Sequence, residues 1–392
     1  MSLLKSKKKK SNIIIQENPE ECIKLVEAFF FKGVFNDNVT DISYNGSTFF
    51  AQNNEIGRYK LDLKWNCDDI LTFIKKIANY MLQPFSSKNP ILDVSFGDYR
   101  LSAIHPNYAR TNSKKVVTFS LRKITATIKI KENDESLCPY EVHKLLKALI
   151  LSYESILISG VTGSGKTEFQ KYLISLMNKS DRVILIEESY ETHIKEIYQD
   201  MDITSWIVNN NRDELSFLVK TALRNNPDWI IIAETRGIEA YDMIQAAMTG
   251  HSAITTIHSE SAKYSLDRIV NICKKSIDVD EQLMLSNIAK HIKIGIHMEK
   301  VFDNTLHKIV RRISEIVEYI PQDEGYKVNT LYEITKSDSL KEKRIYGCIS
   351  NELKKILVKH DVILKDINKF LRKEKEWKIK ILKHILYCFL AF

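Results

Sequence analysis

Between Ser155 and Met177 the chain reads SILISGVTGSGKTEFQKYLISLM, and no other segment restricts its fold as strongly. Gly160 to Thr167 fit the pattern G-x-x-x-x-G-K-[ST], a loop whose backbone N–H groups turn inward around phosphate oxygens. Glycines are needed because a Cβ would obstruct that wrap. Gly160, Thr162, Gly163, Ser164 and Gly165 therefore form the expected cradle. Lys166 supplies a point charge for the β- and γ-phosphates, and the Thr167 hydroxyl is a Mg²⁺ ligand. Ile156, Leu157 and Ile158 read as a short buried strand running into the loop. Phe169, Tyr172, Leu173, Leu176 and Met177 recur at helical spacing, so a helix leaves the loop and adds its positive end to the phosphate site.

Nucleotide hydrolysis also needs groups that orient water and help to hold the metal. Two further segments read as strands: RVILIEES, ending at Glu187 and Glu188, and DWIIIAETRG, ending at Glu234. In a doubly wound parallel sheet the phosphate loop lies at the carboxyl ends of the strands, which places these carboxylates at the same edge. Ala233 stands where an Asp-Glu pair would have its aspartate. Asp228 cannot replace it, because it starts the strand and lies roughly 20 Å away at ~3.3 Å per residue. Glu234 is the expected water-polarising group, and Glu187 the expected metal or water-positioning group. The plainer alternative for each is a loop residue facing solvent.

MTGHSAITTIHSESA, from Met248 to Ala262, holds two histidines. IEAYDMIQAAM reads as a helix stopped by Gly250, and SAITTI as the next strand, parallel to its predecessor after a right-handed crossover. His251 then begins the strand and His258 ends it, roughly 23 Å apart. A shared zinc would need both nitrogens within ~2.1 Å of one ion, so that reading fails. His258 emerges at the phosphate-loop edge, where an imidazole can hydrogen-bond a γ-phosphate oxygen. His251, at the opposite end, is structural or at an interface.

The remaining chain divides by pattern. Residues 1–17 form a basic tail with four consecutive lysines, Lys7 to Lys10, read as a solvated disordered segment or as one attracted to anionic lipid or nucleic acid. Residues 18–125 read as a small α+β domain. Helices are expected at Pro19–Phe31 and Asp68–Met81. Leu92, Val94, Phe96 and then Tyr99, Leu101, Ala103 alternate around a Gly97-Asp98 hairpin turn. Polar residues 126–142 serve as a linker, with Pro139 suited to the first turn of the next helix. Over 143–334 strands and helices alternate, which implies a parallel sheet with crossover helices. In 335–392 apolar residues at helical spacing (Ile363, Ile367, Phe370, Leu371, then Ile381, Ile385, Phe389) imply an amphipathic helical extension that packs or binds a surface.

The chain has 392 residues, 44% of them hydrophobic and 28% charged, a globular profile with ample core for two or three domains. No apolar stretch reaches the ~20 residues of a membrane-spanning helix. The net charge of +8 is spread along the chain and argues only weakly for a nucleic-acid partner. Six scattered cysteines without a C-x-x-C pair suit a reducing cytoplasm.

In this order the motifs resemble the secretion-superfamily traffic ATPases of type IV secretion, conjugation and tight-adherence pili, with their type II and type IV pilus relatives. GVTGSGKT is similar to their Walker A loop and LIEES to their Asp box, with Glu188 in the usual aspartate's place. ALRNNPDWIIIAETRG resembles their Walker B segment and MTGHSAITTIHS their His box. The absence of a four-cysteine segment after the His box favours the conjugation and tight-adherence branch. The resemblance implies an α/β fold: a RecA-like P-loop domain with a mostly parallel sheet, preceded by a smaller α+β domain and followed by a helical extension. It implies an ATP- and Mg²⁺-dependent motor, a homo-hexameric ring, cytoplasmic and peripheral on the membrane, docked on inner-membrane secretion or pilus platform proteins. By position it assigns Arg100 and Arg122 to the nucleotide phosphates, solvent-exposed strand arginines being the alternative. Arg236 is expected in an interface or sheet-edge ion pair. The rival reading, a RecA-like DNA translocase or helicase, calls for a basic, aromatic-lined strand path that the sequence lacks, so direct nucleic-acid binding is not expected.

Overall fold

Alternation organises the first third of the chain. Leu92, Val94, Phe96, Tyr99, Leu101 and Ala103 are buried, while Ile91, Asp93, Ser95 and Ser102 between them are exposed. The computed structural model describes residues 16–30, 34–35, 38–124, 126–208, 212–237, 239–304, 306–336 and 342–371. Lys7 to Lys10 and Ile381, Ile385 and Phe389 lie outside the described residues. The chain splits into two compact units, residues 1–125 and 126–392.

The first unit contains α1 (Pro19–Phe29), β1 (Val39–Tyr44), β2 (Phe49–Asn53), β3 (Gly57–Leu61), α2 (Cys67–Tyr80), β4 (Ile91–Phe96), β5 (Tyr99–Ile104), the two-residue strands β6 (Arg110–Thr111) and β7 (Lys114–Lys115), and β8 (Thr118–Lys123). Six strands make one sheet in the order β3-β2-β1-β8-β5-β4, every neighbouring pair antiparallel. Phe96 faces Tyr99 across the Gly97-Asp98 turn, as the alternation implies. In α2 the Asn66 side chain accepts from Asp69 N–H and Asp69 reaches back to Asn66 N–H, a reciprocal cap that fixes where the helix starts. Its face of Ile70, Phe73, Ile74 and Ile77 is buried against the sheet side chains. Each isoleucine sealed from water there contributes about 2 kcal/mol.

The second unit begins with α3 (Tyr140–Leu151), β9 (Ile156–Gly160), α4 (Lys166–Ser175), β10 (Arg182–Glu187), α5 (Ile194–Ile197), β11 (Asp202–Ile207) and α6 (Arg212–Ala222). It continues with β12 (Trp229–Ile232), α7 (Glu239–Met248), β13 (Ser252–Ile257), α8 (Ser265–Cys273), α9 (Glu281–His291), β14 (Ile294–Asp303), β15 (Lys308–Pro321), β16 (Tyr326–Lys336), β17 (Glu342–Tyr346) and α10 (Asn351–Lys359). One nine-stranded sheet runs β11-β10-β12-β13-β9-β14-β15-β16-β17. Helices cover both faces, so β9, β12 and β13 are buried along their whole length. That accounts for their continuous apolar runs. Successive residues feed opposite cores: Ile156 and Ile158 one, Leu157 the other.

The structure corrects three boundary expectations. Strand–helix alternation ends at α9 rather than near residue 334, because β14 to β17 pair antiparallel. The connections at 304–307 and 322–325 are hairpin-length, too short for the crossover that parallel neighbours require. The region after Thr335 is not wholly helical, since β17 adds a strand before α10 and the 3₁₀ turn Leu364–Phe370. Leu353, Leu357, Ile367 and Phe370 from these last elements are buried in the same core as β9, whereas Ile363 is exposed. The segment 126–142 is docked at its end: Leu137 and Cys138 are buried, and the Leu137 carbonyl accepts from Ile313 N–H at 2.9 Å. Among the described residues no helix is long and apolar enough to cross a membrane.

Candidate nucleotide site

The parallel strands converge on one edge. Ile232 aligns with Thr255 and with Ile186, and Ile257 aligns with Ser159, so the residues after Ile186, Ile232, Ile257 and Ser159 emerge together. From β9 emerges the phosphate loop. Gly160 has φ +152°, and a Cβ there would meet the Met298 carbonyl oxygen at 2.4 Å and Ser164 Oγ at 2.5 Å. Gly165 takes a left-handed φ of +95° as the N-cap of α4. Thr162 and Gly163 are exposed and Thr167 is half-buried. Lys166 curls back under the loop and donates to the Gly160 and Val161 carbonyls at 2.8 and 3.2 Å. Burial lowers its pKa, with the Glu234 charge pulling the other way.

Beyond β12 the chain bends, so Glu234 sits two residues past the strand's end rather than on its last residue. Four hydrogen bonds hold that bend. Thr235 N–H donates to the Thr256 carbonyl at 2.9 Å, the Thr256 hydroxyl donates to Ala233 O at 2.7 Å, and the Glu239 carboxylate accepts from Arg236 and Gly237 N–H at 2.6 Å each. Glu234 Oε2 takes the Arg236 guanidinium at 2.5 Å. Its Oε1 lies 2.8 Å from His258 Nε2, yet that oxygen is buried without a hydrogen bond. The contact is thus a close approach of imidazole and carboxylate lacking hydrogen-bond alignment. His258 Nδ1 is in turn 3.4 Å from Lys166 Nζ. Burial would push the Glu234 carboxyl up, but the Arg236 hydrogen bond and charge, with His258 and Lys166, hold it below its usual range.

Lys166, Glu234 and His258 therefore meet as their strand positions imply, and Arg236 forms the expected ion pair. Glu187 does not join them. Its carboxylate is buried and turned into its own loop, accepting from Thr192 N–H at 3.0 Å, the Thr192 hydroxyl at 2.9 Å and Glu191 N–H at 3.3 Å. The next residue, Glu188, faces the site instead, 3.5 Å from Arg236. The expected metal or water role of Glu187 therefore competes with the three donors of its own loop that already engage its carboxylate. Arg100 and Arg122 belong to the first unit, as cross-strand partners on β5 and β8, and pair with Asp93 at 3.3 Å and Asp41 at 2.8 Å. His251 lies at the opposite end of β13, 3.1 Å from the Thr249 hydroxyl. Asp228 likewise sits at the far edge, accepting from Arg182 N–H at 2.7 Å.

A glycine-cradled lysine thus meets a glutamate just past the end of β12 and a histidine just past the end of β13 on one edge. The family described as "Type II/IV secretion system protein" matches residues 99–323, more than half of the chain. The chain belongs to that family. An uncharacterised protein of Bacillus anthracis is 36% identical over 291 residues, which cover 72% of this chain and 65% of that protein. The type IV secretion system protein VirB11 of Bartonella quintana is 25% identical over 248 residues, 53% of this chain and 68% of VirB11. The chain thus spans somewhat less than two thirds of the first relative's length. Among solved structures, the Legionella pneumophila ATPase DotB aligns with 93% of this chain and 94% of its own at a TM-score of 0.52 and 16% identity, a likeness of fold.

Motif reading missed Glu239, which fixes the bend carrying Glu234, although an acidic residue opening a helix is a visible signal. It also missed Arg311 and Lys300 of the β14–β15 pair, which lie beside Gly163. Nothing in their local sequence marks them.

Proposed function

We propose that this chain is a Mg²⁺-dependent ATP hydrolase that works as a homo-hexameric ring on the cytoplasmic face of a membrane. There it energises secretion, conjugation or pilus assembly by docking on a membrane-embedded platform. The observation that carries the reading is the meeting of Lys166, His258 and Glu234 at one strand edge. Membership of the type II/IV secretion family supports the cellular role.

The donor set suits ATP and its metal. One oxygen at this edge, Ser164 Oγ, is buried without a hydrogen bond, a condition that costs about 1–3 kcal/mol. A phosphate oxygen in the loop satisfies it. The Thr167 hydroxyl is an oxygen ligand of the kind Mg²⁺ takes beside phosphates. When bound there, Mg²⁺ would neutralise charge on the β- and γ-phosphates. Lys166 exchanges its two loop carbonyls for phosphate oxygens, to which it is far more strongly drawn. Glu234, kept ionised by Arg236, accepts a proton of the attacking water through Oε1. His258, between Lys166 and Glu234, reports on the γ-phosphate to both. Glu188 shares Arg236 and limits how firmly it holds Glu234.

The test pairs ATP turnover with native mass, with and without nucleotide. The wild-type chain is expected to hydrolyse ATP only with Mg²⁺ and to assemble, and Lys166→Ala to lose turnover at least a hundredfold, the scale of losing a principal phosphate charge. An assembled wild type without turnover, or a Lys166→Ala variant that keeps it, would refute the reading. Strong stimulation by single-stranded DNA would point to a translocase instead.

A further inference from the structure

Strands β14 and β15 carry a feature that the nucleotide motifs leave out. β14 pairs with β9 up to Met298 opposite Gly160. Its next residues therefore run on past the end of β9, alongside the phosphate loop. Lys300 and Arg311 face each other across the β14–β15 pair. Arg311 Nε donates to the Gly163 carbonyl at 2.8 Å. Its stem lies against Gly165, where a Cβ would meet Arg311 Cδ at 3.3 Å and Cβ at 3.6 Å. The Lys300 ammonium lies 4.0 Å from the place of a Gly163 Cβ. The guanidinium is held dry enough that burial pulls its pKa down.

A trans peptide points its C=O and the following N–H in opposite directions. A guanidinium that grips the Gly163 carbonyl from outside therefore aims the Ser164 N–H into the loop's hollow, where it donates to the Val161 carbonyl at 3.2 Å. That hollow is where phosphate oxygens are wrapped in a loop of this pattern. We propose that Arg311 is a positioning residue for the phosphate loop, fixing the Gly163–Ser164 peptide so that its N–H meets a phosphate oxygen, with Lys300 adding positive charge beside it. The inference rests on the nucleotide-site reading. It places the control of loop geometry on the antiparallel half of the sheet, outside the Walker A, Walker B and histidine segments.

The experiment measures ATP turnover against ATP concentration, ADP affinity by calorimetry, and the thermal midpoint without nucleotide, for wild type, Arg311→Ala and Arg311→Lys. Arg311→Ala is expected to raise KM and the ADP Kd about tenfold, the scale of one charge-assisted hydrogen bond, with kcat changed far less and the midpoint unaltered. Arg311→Lys, whose ammonium can still donate to a carbonyl, is expected to recover part of the loss. Wild-type KM and Kd in Arg311→Ala would overturn the proposal. So would parallel losses in KM and kcat that follow a lowered midpoint. A wild type that binds neither ATP nor ADP would refute the nucleotide-site reading, and this inference with it.

Discussion

Replacing Glu187 by glutamine tests the place of this carboxylate in the site in two ways. The carboxyl group is 1% exposed, and burial raises its pKa from 4.5 to about 7 despite the opposing pull of the Thr192 hydroxyl and the Thr192 and Glu191 amides. Folding thus favours the protonated form. The stability this group contributes is fully present below pH 4.5 and is lost as pH rises towards about 7. At ~1.4 kcal/mol per pH unit, that interval amounts to about 3 kcal/mol. Glutamine is neutral throughout, keeps an oxygen for the two amides and can donate to the Thr192 hydroxyl. Glu187→Gln should therefore gain about 3 kcal/mol on wild type between pH 4.5 and pH 8, measured as the change in their stability difference by urea unfolding at a series of pH values. Because the Glu187 carboxylate is held by its own loop, the variant should also keep ATP turnover at the wild-type level. A stability difference that does not vary with pH would refute the burial argument. A well-folded variant without turnover would return Glu187 to the metal or water role that its place at the strand end implies.

Arg236→Ala should raise the Glu234 carboxyl, since the Arg236 bond and charge are the largest of the effects that offset its burial. The acid limb of kcat/KM against pH should then move to higher pH, and a limb that stays in place would show that Glu234 does not titrate in catalysis. Gly160→Ala forces a Cβ to within 2.4 Å of a backbone oxygen at φ +152°, where no flexible side chain can yield. A loss of about 3 kcal/mol, or roughly 6–12 °C in Tm, is expected by calorimetry, and an unchanged Tm would refute the close β9–β14 approach.

Much of the architecture was legible because the signals are local. The hairpin at Gly97-Asp98 is written in a period-two pattern and a turn pair. The buried strands β9, β10, β12 and β13 are written in apolar runs that only a sheet covered on both faces tolerates. The antiparallel meander was harder to see. Strands β14 to β16 pass from the core to the unit's rim, so their inner ends read as buried and their outer ends as amphipathic, and the apolar pattern changes within a single strand. β17 is exposed over most of its length and carries almost no apolar signature. Its strand state comes from hydrogen bonding to β16, a non-local cause.

The same division runs through the site. Lys166, Glu234 and His258 were readable because each stands where a short buried strand meets its loop, and parallel strands bring those junctions to one edge. Which of two adjacent carboxylates serves that edge is a different question. In a pleated strand the answer alternates with every residue. Glu187 shares the parity of Val183 and Leu185, whose side chains enter the core that holds α3 and α4, and the loop through Thr192 folds back to satisfy it. Glu188 has the opposite parity and comes free of the sheet to meet Arg236. The run of Ser189, Glu191 and Thr192 after the strand is the clue, because such polar residues turn readily around a carboxylate acceptor. Arg311 left no clue at all, being 148 residues from the glycine it holds. Its place beside the loop follows from β14, which pairs with β9 as far as Gly160, where a glycine lets the Met298 carbonyl come close, and then runs on past it.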